Sequence, residues 1–163
     1  MHTLVFMNKD SYKDNISFLA AQLSENHDKS CYISFNDPYH IVIDILQGAN
    51  VHEKYIIVDA TSGAKEVRTI NENTYVVSLD SLFDVYVFLS NVIKQEGISM
   101  LLFDSLSALI DKHSTLPLKS MMTNLLLQVG SMKCATNLVV FNHHSEHEVI
   151  SHLNPLIARN LRI

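Results

Sequence analysis

Short, almost wholly apolar runs alternate with amphipathic stretches along this chain, and that alternation constrains the fold more than any other feature. "TLVFM" (3–7), "SCYISF" (30–35), "YIIVDA" (55–60), "TYVVSL" (74–79), "SMLLFD" (99–104) and "NLVVFN" (137–142) read as strands. Strands buried on both faces carry continuous apolar runs instead of polar alternation. Between them, apolar residues fall at helical spacing. In "NISFLAAQL" they are Ile16, Leu19, Ala20 and Leu23, an i, i+3, i+4, i+7 stripe. "PYHIVIDILQGA" opens on Pro38 and closes near Gly48, "LFDVYVFLSNVIKQEG" (82–97) stops at Gly97, and 116–134 supplies a further helix. Proline suits a first helical turn and glycine suits the residue past the last one. The repeat predicts an α/β fold of three layers, with a mostly parallel sheet covered by helices on both faces.

No linker or low-complexity segment interrupts the pattern, so the 163 residues are expected to form one domain, 1–163. No apolar run reaches the roughly 18 residues of a membrane span. The start, "MHTLVFMNKD", lacks a basic lead and a small-residue cleavage site; a cytoplasmic location is the expectation. The formal charge of −5, without a basic cluster, offers nucleic acid no electrostatic footprint. Cys31 and Cys134 lie in apolar contexts and read as buried, reduced thiols.

Open α/β sheets bind ligands at the carboxyl ends of their strands. The residues there are Asn8 to Asp14, Asn36, Asp37, Asp59 to Ser62, Asp104, Ser105, Asn142 and His143. "LLFDSLSALI" (101–110) is the notable one, because an acidic residue at the tip of a buried strand can hold the water shell of Mg²⁺ beside a phosphate. Each such residue also has a plain structural reading, as a cap or turn former.

"LLFDSLSALI" resembles the Walker B strand of RecA-like ATPases of the KaiC type. "CYISFND", "VIDILQGANVHEKYIIVDATSG" and "LFDVYVFLSNVIKQEGISMLLFDSLSALI" match the same family in order and spacing. The resemblance implies a RecA-like P-loop NTPase fold. It places the phosphate-binding motif, Gly-x-x-x-x-Gly-Lys-Ser/Thr, at "MNKDSYKD" (7–14). There Met7 and Tyr12 replace the glycines, Lys13 keeps the lysine, and Asp14 replaces the hydroxyl. A β-carbon opposes the close backbone approach that cradles phosphate. Asp14 puts an anion where a helix N-terminus would attract one; it also reads as a cap for that helix.

The family's acidic catalytic base falls at Asn36 and Asp37. Asn36 cannot take a proton, and Asp37 before Pro38 also reads as a helix N-cap. The resemblance thus implies a domain that keeps the fold without hydrolysis: a vestigial site at Lys13, Asp14, Asp104 and Ser105, Asp37 at a vestigial base position, and no cofactor. Because RecA-like proteins assemble side by side, it also implies a protein partner, either a second copy or an active relative. "SALI" and the Met-rich "KSMMTNLLLQVGSM" are interface candidates, although a Met and Leu stripe at helical spacing also reads as core.

Three other readings stand beside this one. A divergent ATP-binding protein or slow ATPase would use Lys13 or Lys9 with Asp104 and Mg²⁺. A metal-binding module would use "NHHSEHEVISH", where His143 and His147 share a face at i, i+4 if the segment is helical. A receiver-like protein would use Asp59 as phosphoacceptor, without the acidic pair such a site needs after the first strand. The closing "LNPLIARNLRI" reads as a short helix and strand around Arg159 and Arg162.

Overall fold

The alternating runs build one sheet. The computed structural model describes residues 1–61, 63–78 and 80–163. Ser62, expected at a strand end, and Leu79, expected to close the strand 74–79, lie outside the described residues. In chain order the elements are β1 (His2–Met7), α1 (Tyr12–Glu25), β2 (Ser30–Ser34), α2 (Tyr39–Gly48), β3 (Tyr55–Asp59), β4 (Arg68–Asn71), β5 (Thr74–Val76), α3 (Leu82–Glu96), β6 (Met100–Asp104), α4 (Leu106–Lys112), α5 (Thr115–Ser131), β7 (Ala135–Phe141), α6 (Glu148–Leu153) and β8 (Arg159–Arg162).

Among the described residues the sheet has eight strands in the order β4-β5-β3-β2-β6-β7-β1-β8. All neighbours pair in parallel except β4 with β5. From β1 the chain crosses over β7 and β6 to reach β2, then returns to place β6 and β7 in the gap. Ile16, Leu19 and Ala20 of α1 and Val42 and Leu46 of α2 bury against one face of the sheet. Helices α3 to α6 bury Leu89, Leu109, Leu125 and Val149, among others, against the opposite face. Connections running one way along the sheet thus use one face and returning connections the other, as right-handed crossovers require.

Local signals account for several boundaries. Ser81 accepts from the Asp84 N–H at 3.2 Å to start α3, and Gly97, at φ 64°, ends it in the left-handed conformation that favours glycine. Met121, Met122, Leu125 and Leu126 of α5 are buried, so the Met-rich stripe is core. "SALI" falls in α4 and turns Leu109 fully inward, which removes it as a continuous apolar interface.

The strand expected at 74–79 is the shorter β5. Its antiparallel partner β4 gives no sequence signal, because all four of its residues are exposed and carry no apolar run. The closing strand forms as expected, with β8 parallel to β1. Cys31 and Cys134 are free and buried. None of the described helices is long and apolar enough to cross a membrane.

Candidate functional site

The carboxyl ends of β1, β2, β6 and β7 meet where the crossover connections part. The connection after β1 is short. Met7 is the last residue of the strand and fully buried, Asn8 follows, Lys9–Ser11 form a 3-10 turn, and α1 starts at Tyr12. Asn8 caps that turn, its Oδ1 accepting from the Asp10 N–H at 3.0 Å. The chain therefore passes from strand to helix through a tight polar turn.

Tyr12 is buried at the first position of α1, its ring edge-on to Phe141 at 5.6 Å between centroids. Its phenol donates to Oδ2 of Asp104, the last residue of β6. The Tyr32 phenol, from the middle of β2, donates to the same oxygen. Asn36 donates to Oδ1 of Asp104 at 2.8 Å and accepts from the Ser105 hydroxyl at 3.2 Å. Ser105 also caps α4, its Oγ accepting from the Ala108 N–H at 3.1 Å. The Asp104–Ser105 peptide is cis.

Both oxygens of Asp104 are thus held by protein donors, and the residue has no solvent exposure. Burial pushes its carboxyl up to about 6; the hydrogen bonds from Tyr12, Tyr32 and Asn36 pull the other way, and the Asp37 charge adds to the rise. Burial, followed by the Asp104 charge, raises both phenols well above their ordinary range. They remain protonated donors at neutral pH.

Lys13 and Asp14 lie in the exposed first turn of α1. Asp14 does not cap the helix as expected: the preceding 3-10 turn supplies the entry, with the Tyr12 N–H bonded to the Lys9 carbonyl. Nor does Asp37 cap α2. That role belongs to Asp59, whose Oδ2 accepts from the Tyr39 N–H at 2.8 Å. Asp37 is held by its backbone, which exchanges hydrogen bonds with the Ser34 hydroxyl. Asp59 also accepts from the Thr61 N–H and hydroxyl at 2.8 and 2.7 Å and is buried. It lacks the accessible carboxylate of a phosphoacceptor.

Beside the network opens a cleft of about 370 Å³, lined by Lys9, Lys13 and Lys112, by Asp37 and Asp111, and by the rings of Tyr12, Phe35 and Phe141. The histidines adjoin two of its lining residues: the His143 ring stacks on Phe141 at 6.1 Å between centroids, and His144 faces Asp111. His143 and His147 do not share a helical face. Asn142–His144 form a 3-10 turn after β7, and His147 is the N-cap of α6, its Nδ1 accepting from the Val149 N–H at 3.2 Å. Instead His144 approaches α4, with Nε2 3.2 Å from Asp111 Oδ1. Burial and the neighbouring His143 lower the His144 pKa despite Asp111.

The structure brings Tyr12, Asp104 and Ser105 together, with Asn36, and leaves Lys13 and Asp14 outside their hydrogen-bond network. Tyr32 also belongs to this network, although its sequence position does not mark it as a site residue. Its only signal is a tyrosine inside an otherwise apolar central strand, where a buried hydroxyl needs a partner.

No protein-family model matches the chain, and no curated protein sequence matches it significantly. Among solved structures, it is similar to the KaiC-like protein of the hyperthermophilic archaeon Pyrococcus horikoshii, with a TM-score of 0.62 at 11% identity. The match covers 86% of this chain and 60% of that structure, so this chain spans less than two thirds of its neighbour's length. At that identity the likeness shows the fold: α/β in three layers, RecA/KaiC-like.

Proposed function

We propose that the chain is a RecA/KaiC-like domain that no longer hydrolyses nucleotide, and that it acts as a regulatory or interaction module through a protein partner. The observation that carries this reading is the Tyr12 phenol on Asp104. In the motif alignment Tyr12 stands at a phosphate-loop glycine and Asp104 at the Mg²⁺-side carboxylate. The tyrosine bridges the two halves of the vestigial site from within. A hydrated Mg²⁺ needs carboxylate oxygen facing water, whereas this carboxylate is fully buried under two phenols and an amide.

The rest of the site supports the same conclusion. Met7 belongs to the core, Asn36 cannot serve as a base, and Asp14 carries negative charge at the start of α1. At an effective dielectric of about 20, two like charges 4 Å apart repel by roughly 4 kcal/mol, enough to offset one retained lysine. With hydrolysis lost, the fold's remaining use is surface. A second copy of this chain, or an active relative packed beside it, is the proposed partner.

A second reading, a divergent nucleotide binder, draws on one observation, the cleft with Lys9, Lys13 and Lys112 on its walls. Phosphate release from Mg²⁺-ATP separates catalysis from its loss. The first reading predicts a rate indistinguishable from buffer and from a Lys13→Ala variant; a rate above buffer that falls in that variant overturns it. Light scattering during gel filtration, alone and with a RecA/KaiC-like relative, then tests the proposed association.

A further inference from the structure

We propose that Asp111, His143 and His144 form a binding site for one divalent transition-metal ion of the zinc class, at the rim of the cleft. This site uses none of the Tyr12, Tyr32, Asn36 or Asp104 groups.

The donor chemistry fits. Two imidazoles and a carboxylate form a borderline set that suits zinc, cobalt or nickel better than magnesium or calcium, which prefer all-oxygen shells. The geometry fits as well. One ligand atom from each of the three residues lies within 4.8 Å of the others. Donors about 2.0–2.1 Å from a tetrahedral ion stand roughly 3.4 Å apart. The Asp111 Oδ1 to His144 Nε2 separation is already 3.2 Å. Only His143 needs to swing inward, and it is an exposed side chain whose ring lies 4.1 Å from that of His144.

The two elements that carry the donors are fixed to each other. Asp111 sits in the last turn of α4, and the histidines sit in the 3-10 turn that continues β7. Between them the buried Ser107 hydroxyl of α4 accepts the Phe141 N–H at 2.8 Å, tying the helix to the end of the strand. A metal would therefore join two already docked elements and would not have to order a loop, so less of its binding energy is spent on conformational entropy. His147 is outside the set because its Nδ1 caps α6. Lys112, next to Asp111, is the nearby cation the ion must tolerate. Three protein donors leave a fourth position of a tetrahedral ion to water or to another ligand.

The test is titration of the untagged chain with Zn²⁺ by calorimetry and with Co²⁺ by visible absorption, on the wild type and on the Asp111→Asn, His143→Ala and His147→Asn variants. Asp111 and His143 are exposed, so their variants should keep the fold, which far-ultraviolet circular dichroism checks. The expected result is one ion per chain, bound at least roughly 10-fold more weakly in Asp111→Asn and in His143→Ala, since losing a ligand costs no less than losing one of its outer-shell partners, and unchanged in His147→Asn, with the Co²⁺ absorption lost in the first two. Absence of saturable binding, binding that survives both of those substitutions, or binding lost in His147→Asn would overturn the assignment.

Discussion

Tyr12 and Asp104 stand 92 residues apart in sequence, yet the tyrosine phenol donates directly to the aspartate carboxylate inside the protein. The bond ties the first turn of α1 to the tip of β6, across the carboxyl edge where an open α/β sheet would receive a ligand. One tyrosine both fills that edge and satisfies a charge that would otherwise be buried without enough partners.

Removing the phenol oxygen alone should be costly. Tyr12→Phe keeps the ring against Phe141 and deletes one of the three donors to Asp104. A hydrogen bond to a charged group contributes about 1.5–3 kcal/mol, so urea unfolding at pH 8 should show a loss of roughly 2 kcal/mol. An unchanged midpoint would mean that the bond contributes nothing net.

Asp104 should also leave a signature in the pH dependence of stability. Its carboxyl is raised from 3.8 to about 6 by burial. Below both values it is protonated in folded and unfolded chains alike. As pH rises from about 4 to 6 the unfolded chain loses this proton first, so stability falls, and it levels off once the folded group has ionised. A shift of about two units corresponds to roughly 3 kcal/mol. Relative to Asp104→Asn, which does not titrate, the wild type should lose about that much between pH 3 and 7. A flat difference across this range would contradict the burial-raised carboxyl.

Asp59 should behave as a structural residue. Asp59→Ala would leave the Tyr39 N–H and both Thr61 donors without their acceptor. Loss of a helix cap costs about 1 kcal/mol, and stranded donors add about 1–3 kcal/mol. A total near 2–4 kcal/mol, read by thermal or urea unfolding, is expected; a change within experimental error would count against this role.

The sheet was legible because its strands are buried on both faces and their apolar runs are continuous. β4 was not, since its exposure leaves no periodic signal. Local sequence marks Asp14 and Asp37 as acidic residues near helix starts, but the 3-10 turn supplies the entry to α1 and Asp59, a strand away in space, supplies the acceptor for the Tyr39 N–H. Tyr12 was recognised as an obstruction from the glycine it replaces. Its bond to Asp104, and the second bond from Tyr32, depend on β6 lying beside β2, a register that only the folded sheet supplies. The His143 and His147 pairing failed because the segment turns as a 3-10 element and then uses His147 as a cap. The donor that replaces it, Asp111, comes from another helix.

In the proposed function, Tyr12 and its partners close the vestigial nucleotide site. Calorimetric titration with Mg²⁺-ATP and Mg²⁺-ADP, on the wild type and on Lys13→Ala, tests it most directly. No saturable heat is expected at millimolar nucleotide for either protein. Saturable binding to the wild type that disappears in Lys13→Ala would contradict it and make the lysine-lined cleft a working nucleotide site.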